Sequence, residues 1–176
     1  MGKKLPFLLL WLGLIILAKA TMAQDSQFAR ELLPVWQRSM AYTLEVAEAM
    51  PDSLYDYRPT TEVFTFAEHL AHLERNLYSL SSRFIQAPTV PAVPTESLSK
   101  AECIALLRHR GEQVSDLLKT LTDEEWQTVV PDFWGPDPIT RAGIIWLMRD
   151  HMTHHRGQLI VYLRLHGVEP PRYRGW

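Results

Sequence analysis

The residues that can do chemistry in this sequence are its histidines, and they are unevenly placed. His151, His154 and His155 fall in one short stretch, HMTHH, near the C-terminal end. His69 and His72 stand three residues apart near the middle. Imidazole binds divalent metals through either ring nitrogen. On a helix, four residues amount to about 40° of rotation and about 6 Å of rise. His151 and His155 can therefore reach one ion from consecutive turns, with His154 as a rival. The apolar positions Ile144, Met148, Met152, Leu159, Tyr162 and Leu163 mark the buried face of that helix. His155 lies near the middle of this face, His151 close beside it and His154 toward the flank. The pair expected inside is His151 and His155. Buried imidazoles need partners for their nitrogens, which a metal or ordinary hydrogen bonds can supply. A third ligand must come from another helix, and His69, His72 and His109 are the candidates. His69 lies nearer the centre of the Phe66, Leu70, Leu73, Leu77 stripe than His72 does. A bundle helix faces two neighbours, so spacing leaves both open.

Four amphipathic segments must position these side chains. The first is expected from Ser26 to Met50, with Leu32, Val35, Trp36, Met40, Leu44 and Ala47 at three- and four-residue steps. Ser26 caps its start and Pro51 ends it. A loop containing Pro59 leads to the second, Phe64 to Gln86, which the prolines between Pro88 and Pro94 forbid from continuing. The third spans Lys100 to Thr120 with Ser99 as cap. A short helical turn at Asp123 to Trp126 and an irregular or strand-like stretch follow. The fourth spans Thr140 to His166 and is stopped by Gly167 and Pro170-Pro171. With no convincing strand pattern, the expected fold is an all-α four-helix bundle, and the long loops leave its connectivity undecided. Trp36, Trp126, Trp134, Trp146 and Tyr162 read as packing residues.

Composition narrows the function classes. Of the 176 residues, 47% are hydrophobic and 22% charged, as in one globular domain. Lysine and arginine (18) nearly balance aspartate and glutamate (20), so no basic excess argues for nucleic acid as a partner. The single Cys103 excludes an internal disulfide and a CxxC site, and reads as a small buried residue. The start, MGKKLPFLLLWLGLIILAKATMA, has two lysines, an apolar run from Leu5 to Ala18 and then small residues. This is the layout of a signal peptide, residues 1–23, cleaved after Ala23 or after Ala20. The run is shorter than the roughly 20 residues that span a bilayer, so no stable membrane insertion is expected after cleavage. Cleavage leaves residues 24–176 as the domain. It removes Lys3, Lys4 and Lys19 and no acid, which takes the net charge from 18 − 20 = −2 to 15 − 20 = −5. The expected location is exported, periplasmic or secreted.

The stretch HMTHHRGQLIVYLRLHGVEPP resembles the terminal motif of the DinB/YfiT-like family. The matching positions are His151, His155, Arg156, Gly157 and Gln158, then Gly167 and Pro170-Pro171. TFAEHLAHLERN is similar to the family's second-helix pattern, with His72 in the ligand position. PVWQRSMAYTLEVAEAMPDSLYDYRP is similar to its first helix and the turn beyond. The resemblance covers essentially the whole of residues 24–176. It implies a four-helix bundle holding a divalent metal on His72, His151 and His155. The signal peptide and the extra His69 depart from the commonest members. Three imidazoles leave a coordination position open and suit zinc, nickel, copper or iron. The implied function is a metal-dependent hydrolase or thiol transferase acting on a small molecule. The alternative is a non-catalytic metal-binding or interaction protein of the same fold. The resemblance also implies a homodimer. Around the ligands, Glu68, Glu74 and Asp150 are candidates to accept a ligand histidine's second N–H, and each reads equally well as a solvated surface acid. Gln158 is expected to point inward, Arg156 to lie away from the core in a salt bridge, and Gly157 to permit close helix packing.

Overall fold

Each helix begins at a residue whose side chain captures an amide that the helix itself leaves unpaired. In the computed structural model, which describes residues 26–85, 98–131, 133, 135 and 137–174, Ser26 opens α1 (Gln27–Ala49) by accepting from the Ala29 amide. Thr65 and Glu68 form a reciprocal capping box at the start of α2 (Phe66–Phe84). Ser99 and Glu102 do the same for α3 (Lys100–Leu117), and Thr122 and Glu125 for the short α4 (Asp123–Trp126). Thr140 caps α5 (Arg141–Leu165), which ends at Gly167 with φ of 68°. The four long helices lie where the periodicity predicts them. Thr65 moves the start of α2 two residues past the expected Phe64, because a cap residue has extended rather than helical geometry. The loop after α1 carries a 3-10 turn at Asp52–Leu54. Among the described residues, the strand-like expectation before α5 reduces to one isolated antiparallel bridge, Val129 to Thr140. The expected signal peptide and the Pro88 to Pro94 break lie outside the described residues.

Asp123 adds a long-range cap. One of its carboxylate oxygens accepts the Ser26 hydroxyl at 2.6 Å and the Phe28 amide at 3.1 Å. The other accepts the Gln27 amide at 2.9 Å. These bonds hold the carboxyl below the usual aspartate range, the Ser26 hydroxyl contributing most. The start of α1 is thus tied to α4.

The bundle is arranged so that α1 packs on α3 and α5, and α2 packs on the same two helices. The helices that carry the histidines, α2 and α5, are therefore neighbours. The core between them is apolar. Trp36, Phe66, Leu70, Leu73, Leu77, Leu107, Ile144, Met148 and Leu159 are all buried. The Trp36 indole N–H donates to the Gly111 carbonyl at 3.1 Å. A β-carbon at Gly111 would stand 2.4 Å from the Met40 methyl, so a side chain here would require Met40 to shift. Among the described residues, no helix is long and apolar enough to cross a membrane.

One ion pair is buried in this packing. Arg110 Nε on α3 donates to Glu74 Oε1 on α2 at 2.6 Å. The arginine also donates to Gln113 Oε1 at 2.8 Å, and its guanidinium lies 4.5 Å from the Tyr78 ring centre. Glu74 is thus not the surface acid the sequence suggests. It sits on the side of α2 that turns toward α3, where an opposite charge receives it. Removing one partner of a buried pair leaves the other uncompensated, at a cost of about 3–5 kcal/mol. Arg110→Met is expected to lower unfolding stability by about that much, and the double variant Arg110→Met/Glu74→Leu by clearly less. Urea denaturation measures both. Equal losses in the single and double variants would contradict the pairing.

Candidate metal centre

Two local devices fix the helices that carry the site. At α2, the capping box sets the first turn, and the preceding loop docks on it. The Phe66 amide donates to the Tyr57 carbonyl at 3.0 Å and the Ala67 amide to the Tyr55 carbonyl at 2.9 Å. At α5, Arg156 reaches across to α1. Its Nη1 donates to the Ser39 carbonyl (3.1 Å), Ser39 Oγ (3.0 Å) and Thr43 Oγ1 (3.0 Å). Its guanidinium stacks 4.8 Å from the Tyr42 ring centre. The expectation that Arg156 lies away from the core in a salt bridge is therefore corrected. A bundle helix is covered on two sides, and the side that faces away from α2 is buried against α1.

With α5 held in this rotation, His155 and His151 turn toward α2 and meet His72. His72 Nε2 lies 2.9 Å from His151 Nε2. The rings of His151 and His155 stack at 4.5 Å, and those of His72 and His155 are 4.7 Å apart. One nitrogen from each of the three falls within 4.8 Å of the other two, close enough for a single ion. The structure thus brings together the three residues that the resemblance implies. His69 lies outside this trio and deeper, at 1% exposure. Its Nδ1 is 2.8 Å from His155 Nδ1, and its Nε2 is 3.3 Å from the Tyr162 hydroxyl.

The remaining sequence candidates divide clearly. His154 is exposed and accepts from the Gln158 amide at 2.7 Å, so Gln158 serves the outer surface rather than the buried side. His109 is exposed, and so is His166, whose ring meets Tyr57 edge-on at 4.1 Å. A β-carbon at Gly157 would meet nothing within 4 Å, so this glycine is not a close-packing device. Glu68 is spent on the α2 cap, and Asp150 is exposed. Burial pushes the Cys103 thiol up, away from reactivity. The residues that pattern reading missed are Arg156 as a clamp and His69 as a partner of His155. The signal for His69 was present, since it stands at the centre of its stripe.

Electrostatics favours neutral rings. Burial pulls His155 down to about 3, with His151 and His69 adding to the effect. Burial, then His72, pulls His69 down to about 4. His72 and His151 are also lowered, chiefly by burial. Neutral imidazoles keep a lone pair and can ligate a metal without first releasing a proton.

Three imidazoles from two adjacent helices define a class: all-helical bundle proteins with a histidine cluster able to hold a metal ion. This chain belongs to the DinB family, whose sequence profile matches residues 22–175. It is 23% identical over 135 residues to the uncharacterized protein YjoA of Bacillus subtilis (strain 168), covering 75% of this chain and 87% of that one. A DinB-like protein from Bacillus cereus ATCC 10987 superposes with a TM-score of 0.70 at 18% identity, covering 81% of this chain and 95% of that chain. The crystal structure of YjoA gives 0.63 at 22% identity, with 82% and 98% covered. At these identities the likeness of structure shows the fold alone.

The depressed histidines make the metal-free protein acid-sensitive. In the unfolded chain they protonate near pH ~6.5, while in the folded chain they stay neutral to lower pH. The unfolded state then binds more protons, so stability falls as pH drops through this interval. The hydrogen-bonded carboxylates Glu68, Glu102 and Asp123 are lowered too, but they act only below about pH 4.5. Urea unfolding of metal-free protein is expected to show lower stability at about pH 5 than at about pH 7.5. A flat or opposite trend would contradict the neutral cluster.

Proposed function

We propose that this chain binds one divalent metal ion through His72, His151 and His155 and uses it on a small molecule, by hydrolysis or group transfer. The observation that carries the reading is the convergence of three imidazole nitrogens within 4.8 Å of one another. The donor set fits such an ion: all nitrogen, uncharged, and supplied by two helices whose rotation is fixed. Three protein donors are one fewer than a closed structural zinc site uses. When bound, the ion supplies a Lewis acid that can acidify a water or thiol, or polarise a carbonyl.

The chain's own residues do the positioning. His151 and His155 present their nitrogens from consecutive turns of α5, and His72 completes the set from α2. Phe64 lies beside the cluster, its ring centre 5.4 Å from that of His72, and is 42% exposed. It offers an apolar surface against which a small substrate can lie. Imidazole donors suit zinc, nickel or iron. The apolar run and small-residue end of residues 1–23 support an exported protein. The homodimer implied by the resemblance of the sequence is part of the same proposal.

Elemental analysis of protein purified without a histidine tag tests the site. The expected result is about one metal equivalent per chain, reduced to near zero in His151→Ala/His155→Ala, because one imidazole cannot hold the ion. Absence of stoichiometric metal in the wild type, or its retention in the double variant, would overturn the assignment. For the reaction, any hydrolytic or transfer activity found with the loaded protein must be lost in His155→Ala.

A further inference from the structure

We infer that His69 is a positioning residue: with Tyr162 and the Phe64 carbonyl, it sets which nitrogen of His155 is free to ligate. The inference rests on the metal reading above and concerns a residue outside the ligand set. Four groups form a line in the interior between α2 and α5. His155 Nδ1 is 2.8 Å from His69 Nδ1, and His69 Nε2 is 3.3 Å from the Tyr162 hydroxyl. The Tyr162 hydroxyl is 2.8 Å from the Phe64 carbonyl oxygen.

The direction of this line follows from its last member. A carbonyl oxygen only accepts, so Tyr162 must donate its proton to Phe64. The tyrosine oxygen is then an acceptor toward His69, whose Nε2 must carry the ring proton. A neutral imidazole has one N–H, which leaves His69 Nδ1 bare. It can only accept, so His155 must donate from its own Nδ1. The lone pair of His155 is thereby placed on Nε2, and Nδ1 is withdrawn from metal binding. A metal-bound histidine commonly donates its second N–H to a carboxylate, a carbonyl or water. Here a second histidine takes that role, and a tyrosine anchors it to the backbone that leads into α2. The ring proton of His155 is thus assigned by a carbonyl three groups away.

The placement of the residues fits this role. His69 is 1% exposed and Tyr162 4%, so both side chains lie inside the bundle. The Phe64 ring also meets the His69 ring edge-on at 5.5 Å, which restrains its rotation. His69 and Tyr162 belong to the two helices that carry the candidate ligands, so the line also spans the gap across which an ion would be held.

The test uses full-length protein and the variants Tyr162→Phe, His69→Leu and His69→Asn. Long-range proton–nitrogen spectra of histidine-labelled, metal-free protein should show His155 with its proton on Nδ1. Tyr162→Phe removes the hydroxyl that receives from His69 and donates to the Phe64 carbonyl, and should leave His155 as a mixture of tautomers. Zinc affinity, measured by competition with a chelator, should fall roughly 10–100-fold in His69→Leu, as for other lost partners of metal-bound histidines. It should recover largely in His69→Asn, whose amide oxygen can accept from His155. A His155 proton found on Nε2 in the wild type would overturn the inference. So would equal zinc affinity in wild type and His69→Leu, or an Asn variant as weak as Leu. If His69→Leu does not fold, Tyr162→Phe decides through its spectrum. Wild-type protein that takes up no zinc defeats the metal reading alone, because the tautomer of His155 is still read from the metal-free spectra.

Discussion

The rotation of α5 about its own axis governs everything the cluster can do. Successive residues on a helix point about 100° apart. His155 and Arg156 therefore face different neighbours, one toward α2 and the other toward α1. The arginine meets three oxygens on α1 and the face of Tyr42, all buried. That set of bonds cannot follow a helix that turns. As long as it holds, His155 and His151 look across to His72. The clamp and the ligands are adjacent in sequence because one rotation must satisfy both.

Packing supplies the other half of the geometry. Because α2 and α5 are neighbours rather than diagonal partners, their histidines meet without a long side chain to bridge the distance. The capping box at Thr65 and Glu68 sets the register of α2, and the Tyr55 and Tyr57 carbonyls dock its first turn. The buried pair Arg110–Glu74 joins α2 to α3 on the opposite side. Polar groups thus tie α2 and α5 outward to α3 and α1. The apolar core fills the centre, and the site lies in the groove between α2 and α5.

Much of the fold was legible in the residue pattern. Leucine and aromatic stripes at helical spacing marked the four helices, and serines placed just before them marked two starts. Those signals are local, and each helix meets them in its own chain segment. The metal candidates on α5 were legible for the same reason, since His151 and His155 share one face. The choice between His69 and His72 was not a local matter. His69 is buried and His72 half-buried, and the approach of α5 decides which ring reaches the trio. Arg156 and Glu74 were misread through a related limit. Charge in a sequence suggests solvent, and burial becomes acceptable only when a partner from another helix arrives. Ser39, Thr43 and Arg110 are such partners, and nothing in the spacing connects them to Arg156 or Glu74.

The bonds of Asp123 to the start of α1 bear on the order in which the molecule can be finished. Ser26 and Asp123 are 97 positions apart. The first helix is the earliest part of the domain to be synthesised, yet the carboxylate that closes its open end is made after α3. Until that segment arrives, the amides of Gln27 and Phe28 lack this acceptor and the N-terminal turn is free to fray. The cap on the first helix therefore waits for a residue from the second half of the chain.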